Sequence, residues 1–221
     1  MKLLLTSGGL RTDTLLREFE RLVGKSASEV NVAIIDEASA VEAGDKRWKV
    51  DELAMIAKRI GGKIDFVDLL ALSLDEAKER LLLADAMYVL GGNPDYLMRT
   101  FKKTGFAELL TSDFFSEKVY VGSSAGSMVV TERANTKGYL NVYAKSNTFE
   151  VESYMGLVNI IFRPHMTSSD NKKYQYETLA EVAVGLQNDL YGLRDDQALS
   201  IVDGKLTVVG GDVFYRKGSE G

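Results

Sequence analysis

Cysteine is absent from the 221 residues, and histidine occurs once. The first absence removes disulfides, thiolate metal sites and a cysteine nucleophile, and it fits a reducing, cytoplasmic setting. The second leaves zinc little but carboxylates, a ligand set it seldom takes in proteins. No metal and no other cofactor is therefore expected. Positive charge is in deficit as well: 27 Lys and Arg stand against 32 Asp and Glu, for a formal net charge of −5. With no sustained basic stripe, this argues against a nucleic-acid partner. Long apolar runs are missing too. The opening Met1-Lys2-Leu3-Leu4-Leu5-Thr6-Ser7-Gly8-Gly9 is too short for a signal-peptide core or a membrane span, so no membrane partner is expected and the segment reads as a first buried strand. Gly8-Gly9 lacks the remaining glycines of a dinucleotide fingerprint, and no Gly-Lys-Ser/Thr phosphate loop occurs.

Neither a linker nor an internal repeat interrupts the chain, and the expectation is a single α/β domain over residues 1–221, as a monomer or homodimer. Apolar runs of strand length alternate with segments of helical period, the pattern of a doubly wound, mostly parallel sheet with helices on both faces. Strands are expected over residues 2–6, 30–35, 63–68, 86–90 and 119–123, then over 158–164, 189–193, 198–202 and 205–215, the last split by a turn. Antiparallel strands fall toward the C-terminus. Crossover helices are expected over 12–23, with Leu15, Leu16, Phe19 and Leu22 inward, and over 48–60, with Leu53, Ile56, Ala57 and Ile60 inward. Ser73 and Glu76 have capping-box spacing and open a third helix; residues 171–187 form a fourth. The stretch 131–153, rich in Asn, Thr and Tyr, is expected to carry short antiparallel strands.

The most informative segment is Val119-Tyr120-Val121-Gly122-Ser123-Ser124-Ala125-Gly126-Ser127-Met128. An apolar strand runs into Gly-x-Ser-x-Gly, and a helix-compatible segment follows, as a nucleophile elbow requires. Glycines two residues either side of a serine let backbone pack close to a strained turn, and the spacing selects Ser124 rather than Ser123. His165, the single histidine, directly follows an apolar strand, where open α/β sheets gather their active-site groups. If an imidazole activates Ser124, no other residue can supply it. A lone histidine is otherwise more often structural. Leu90-Gly91-Gly92-Asn93-Pro94 closes another strand, and the amides of Gly92 and Ala125 could form an oxyanion hole, with Asn93 beside them as a substrate contact. The same residues equally suit a tight strand-to-helix turn. Arg194-Asp195-Asp196 reads as a turn whose acids, Asp195 first, could hold a substrate ammonium.

Gly91-Gly92-Asn93, Gly122-Ser123-Ser124-Ala125-Gly126 and Pro164-His165, with the opening strand and Gly192-Leu193-Arg194-Asp195-Asp196, resemble the dipeptidase E and cyanophycinase family of serine peptidases. The resemblance implies a fold similar to class I glutamine amidotransferases and a small peptide substrate, possible N-terminal aspartyl dipeptides included. It makes Ser124 the nucleophile, His165 the base, and the Gly92 and Ala125 amides the oxyanion hole. Dipeptidase E carries an aspartate about fifteen residues past its serine; the equivalent stretch here, Tyr139-Leu140-Asn141-Val142-Tyr143, has no acid. Asn141 is the nearest polar candidate for a third member, with Glu150 or Glu152 as alternatives. Where that family has arginines after its histidine, this chain has Lys172 and Lys173, expected to contact an acidic substrate group. Two other readings compete: an α/β-hydrolase esterase, which usually carries its histidine nearer the C-terminus, and a catalytically silent binding module on the same fold.

Overall fold

In a computed structural model, which describes residues 1–144, 149–167 and 171–219 and only the backbone of Phe114, ten strands form two sheets. The strands are β1 (Lys2–Thr6), β2 (Val32–Ile35), β3 (Ile64–Phe66), β4 (Ala86–Val89), β5 (Val119–Ser123), β6 (Ile160–Arg163), β7 (Asp189–Gly192), β8 (Ala198–Val202), β9 (Lys205–Val209) and β10 (Phe214–Arg216). The helices are α1 (Asp13–Val23), α2 (Arg47–Arg59), α3 (Leu74–Leu83), α4 (Pro94–Thr104), α5 (Phe106–Thr111), α6 (Ala125–Met128), α7 (Lys137–Tyr143) and α8 (Tyr176–Val182). The large sheet has the order β3-β2-β4-β5-β1-β8-β9; its first five strands are parallel, and β8 and β9 are antiparallel to their neighbours. Helices cover both faces, so β2, β4 and β5 are buried along their whole length and read as continuous apolar runs.

Local chemistry sets the crossovers. Thr12 caps α1 by accepting from the Leu15 amide, and Gly24 ends the helix at φ 79°. Leu15, Phe19 and Leu22 lie on one face and are buried, each contributing roughly 2 kcal/mol of apolar transfer. Ser73 and Glu76 close the expected capping box on α3. Helix α2 departs from expectation: Glu52 and Ile56 are buried and Ala57 is exposed. The helix is rotated because the Glu52 carboxylate finds a hydrogen bond from the Tyr88 hydroxyl at 2.9 Å.

Three further expectations change. The strands expected at 158–164 and 189–193 leave the main sheet: β6 and β7 pair in parallel and join β10 in a second sheet of order β10-β7-β6. Residues 137–143 are helix α7 rather than antiparallel strand, because Tyr139 and Tyr143, four apart, bury together in the cluster that also holds Ile161 and Leu190; residues 145–148 of that stretch lie outside the described residues. The helix expected over 171–187 is broken, since Gln175 is extended at φ −86°, ψ 146°, leaving a short turn at Lys172–Tyr174 and then α8. The strand-to-helix turn that residues 90–94 suited is present, with Asn93 as cap and Pro94 in the first turn of α4, whereas α5 was not anticipated.

Strands β1 and β5 are neighbours whose following helices leave to opposite faces. The α1 residues Leu15 and Phe19 pack in one core cluster, whereas Ala125 of α6 packs in the other. A crevice therefore opens at the carboxyl ends of β1 and β5, where such a switch makes room for a ligand.

Candidate active site

Ser124 follows β5 directly and is held at φ 51°, ψ −109°, a conformation costing about 1–3 kcal/mol for a non-glycine residue. The backbone around it overdetermines this geometry. The Ser124 amide donates to the Thr6 carbonyl at 3.1 Å, and the buried Ser127 hydroxyl donates to the same oxygen at 2.7 Å. The flanking glycines are required by contact: a Cβ on Gly122 would lie 2.6 Å from the Ser127 nitrogen, and one on Gly126 would lie 2.1 Å from the Val89 carbonyl oxygen. Gly91 faces the serine itself, where a Cβ would come within 3.1 Å of the Ser124 Cβ. Gly92, at φ 143°, leans on the Ala38 carbonyl, 2.1 Å from where a Cβ would sit. Its neighbour Asn93 donates its amide to that same oxygen at 2.8 Å.

His165 comes from the second sheet. Arg163 ends β6 opposite Gly192 of β7, and two backbone bonds extend the pairing: Leu193 N–H to the Arg163 carbonyl and Met166 N–H to the Leu193 carbonyl, both 2.9 Å. His165 sits between them at φ 62°, its amide donating to Ser7 Oγ at 2.7 Å. Its Nε2 lies 2.7 Å from Ser124 Oγ, and its Nδ1 lies 2.6 Å from Asp195 Oδ1. A carboxylate only accepts, so the proton sits on Nδ1 and Nε2 is free to accept from the serine. The Ser7 hydroxyl sits 3.0 Å from Asp195 Oδ1 and 3.2 Å from the Leu193 carbonyl, and so braces both ends of this arm. Burial pushes the Asp195 carboxyl up, but the hydrogen bond and charge of His165 and the Ser7 hydroxyl outweigh it and hold the group below the usual carboxylate range.

The structure thus brings together Ser124, His165 and Asp195, and it brings none of the residues expected as the third member. Asn141 is exposed on α7, because burial of Tyr139 and Tyr143 turns position 141 to the opposite side of the helix. Glu150 and Glu152 are exposed as well. Asp195, expected to hold a substrate ammonium, faces the imidazole instead. Asn93 is 1% exposed, and its side chain caps α4 by accepting from the Tyr96 amide at 2.9 Å. That makes it a structural cap rather than a substrate contact. Lys172 is exposed outside the cleft lining, whereas Lys173 is half-buried along it. Ala125 is fully buried at the first position of α6, where an amide has no intrahelical acceptor.

The Ser124–His165 pair opens onto a cleft of about 940 Å³, whose lining includes Gly8, Trp48, Glu52, Gly92, Arg163, Lys173 and Tyr174. Three contributors went unnoticed in the sequence. Ser7 was read only as part of a strand end. Glu52 is 8% exposed; burial pushes its carboxyl up, against the pull of hydrogen bonds from Ser123 and Tyr88. Arg163, 6% exposed, places its guanidinium 3.8 Å from the centre of the Tyr143 ring. No signal in an apolar strand marks such a cation as facing a site. Among the described residues no cluster of three or more His, Asp or Glu could hold a metal, and no helix is long and apolar enough to cross a membrane.

Comparison with known proteins agrees with this geometry. The chain matches peptidase family S51 over residues 3–209. An uncharacterized peptidase of Listeria monocytogenes is 26% identical over 200 residues, covering 90% of this chain and 93% of its own length. An uncharacterized peptidase of Pasteurella multocida is 28% identical over 138 residues, covering 62% of this chain and 66% of its own. Among solved structures, a "Putative Peptidase E Protein" from Listeria monocytogenes EGD-e superposes with a TM-score of 0.69 at 22% identity, over 99% of this chain and 98% of that one. A peptidase from an acI-B1 Actinobacterium gives a TM-score of 0.67 at 21% identity, over 99% and 95%. These two share the fold, a large mostly parallel sheet flanked by helices. With nearly its whole length matched, the chain belongs to peptidase family S51 and is a serine-type peptidase.

Proposed function

We propose that this peptidase hydrolyses small peptides through an acyl-enzyme on Ser124, with His165 as base and Asp195 as the group that orients it. The observation that carries the reading is the continuous chain Ser124 Oγ–His165 Nε2–His165 Nδ1–Asp195 Oδ1, with links of 2.7 and 2.6 Å. Ser124 then sits on a nucleophile elbow between β5 and α6. As Oγ attacks the scissile carbonyl, its proton passes to Nε2, and the imidazolium is stabilised by Asp195. The Gly92 and Ala125 amides receive the developing oxyanion. Nε2 returns the proton to the leaving amine, and water, deprotonated by the same nitrogen, releases the acid. N-terminal aspartyl dipeptides are the first substrates to try, on the resemblance to dipeptidase E.

A fluorophosphonate probe tests the nucleophile directly. It should label the wild-type chain at Ser124 and leave Ser124→Ala unlabelled. Absence of labelling in the wild type would mean a binding module on a peptidase fold.

A further inference from the structure

Arg163 is a buried cation without a counter-anion. It is 6% exposed, its Nε is buried with no hydrogen-bond partner, and among the described residues no ion pair involves it. The Tyr143 ring covers the guanidinium at 3.8 Å and Tyr174 lies 5.9 Å away. Beside it the Tyr143 hydroxyl is also buried without a partner. The neighbouring Tyr139 hydroxyl, also buried, offers Arg163 a neutral oxygen but no negative charge. Removing a guanidinium from water without a paired anion is costly, and such an arrangement is retained when something completes it. A ring stacked on one face leaves the in-plane fork of N–H donors open, the edge by which arginine takes a carboxylate bidentately.

Position gives this charge a role. Arg163 lines the cleft that Ser124 and His165 open onto, two residues before the histidine on the same strand end. Its carbonyl accepts from Leu193 at 2.9 Å, so its backbone is fixed by the bonds that set His165 and Asp195. The same lining includes the buried carboxyl of Glu52 on α2, a helix that packs into the core cluster holding Leu15 and Phe19. The cleft lining carries charges of both signs, Arg11 and Lys173 as well as Arg163, and Asp195 and Asp196 as well as Glu52.

Resting on the peptidase reading of this cleft, we infer that Arg163 is a specificity-determining residue that binds a carboxylate of the substrate peptide. The carboxylate is either an acidic side chain or the free C-terminus, and one experiment separates them. In the Ser124→Ala chain, which cannot turn the ligands over, calorimetry compares Asp-Ala amide with Asn-Ala amide, and Ala-Ala with Ala-Ala amide. The charged member of one pair should bind about 10- to 100-fold tighter than its neutral counterpart, the scale of a charged hydrogen bond, and the pair that shows it names the source. Arg163→Met should erase the difference, and Arg163→Lys, which keeps charge and loses the fork, should retain only a few-fold of it. Equal affinities within both pairs would overturn the inference, as would a preference that survives Arg163→Met. Should the Met variant fail to fold, full discrimination in the Lys variant does the same. Thermal melting adds a separate readout: a residue held for binding can be replaced by Met with no loss of stability, whereas a structural one cannot. Fluorophosphonate labelling of the parent chain, run alongside, reports independently on the serine peptidase reading.

Discussion

The two halves of the site are built in different ways. The serine half is local: strand, turn and helix are consecutive, and Gly122 and Gly126 are glycine because a Cβ at either would strike backbone. The histidine half is assembled from three distant segments, Ser7, Pro164-His165 and Leu193 to Asp195, brought together by the β6–β7 pairing and by the Ser7 hydroxyl. A local device leaves its trace in a few adjacent letters. An assembled one is spelled across the chain, and each of its parts taken alone looks like an ordinary turn.

The sharpest test of the local half is chemical. Ser124→Ala should lower kcat by more than about 10⁴-fold while leaving the melting temperature almost unchanged, since one half-buried hydroxyl is lost and little packing with it. Ser123→Ala should be far milder in kcat. Comparable losses in both would mean that the strained turn, and not the Ser124 oxygen, is what turnover depends on.

Next in size is the test of the assembled half. Asp195→Asn should cost about 10³- to 10⁴-fold in kcat with KM little changed, because an amide in place of the carboxylate favours the wrong imidazole tautomer. Asn141→Ala, on an exposed face of α7, should be indistinguishable from wild type. The reverse pattern would show that the β6–β7 register seen here is not the one that works.

These two outcomes bear on what the sequence made legible. All five parallel strands, the capping box on α3 and the Ser124–His165 pairing were readable, because buried strands, caps and glycine-flanked turns are local in sequence. Asp195 stood in plain view after a strand end, yet its partner is fixed by a pairing between β6 and β7 that no periodicity reports. Asn141 was placed there by its spacing from Ser124, and the helix that buries Tyr139 and Tyr143 turns it to solvent instead. Glu52 was not among the inward residues expected of that helix, and hydrogen bonds from Ser123 and from the Tyr88 hydroxyl across the core make its burial tolerable. The later strands were recognised as strands, but their division between two sheets depends on which edges meet.

A smaller effect probes the brace. Ser7→Ala removes the acceptor of the His165 amide and a donor to Asp195 while leaving Ser124 untouched. About a 10-fold loss in kcat is expected, from looser orientation of a base that is still present. Ser7→Thr, which restores a hydroxyl, should recover part of it. Full activity in the alanine variant would show that the strand pairing alone holds the arm.

The smallest effect on turnover is expected where the local half proves less local than it looks. Gly92 and Asn93 rest on the carbonyl of Ala38, and Ala38 lies in a turn, Glu37–Ser39, whose acid is buried at 6% exposure. One oxygen of Glu37 accepts from the Leu69 amide at 2.5 Å, and the other has no partner. Burial is the main cause that pushes this carboxyl up, to about 7 from an ordinary 4.5. The folded chain therefore holds a proton on Glu37 that the unfolded chain releases between pH 4.5 and about 7. Folding is favoured by that proton at low pH, and the contribution is lost as pH rises through about 7. The difference amounts to roughly 3 kcal/mol, on the scale of 1.36 kcal/mol per pH unit. Glu37→Gln keeps an oxygen for the Leu69 amide and carries no charge at any pH. Urea unfolding of the two proteins at pH 5 and pH 8.5 should show them similar in stability at the lower pH and the variant ahead at the higher, with kcat/KM at pH 8.5 close to equal. Parallel stabilities at both values would mean that Glu37 is charged in the folded chain, and that the turn beneath Gly92 is held by its anion instead of tolerating its acid.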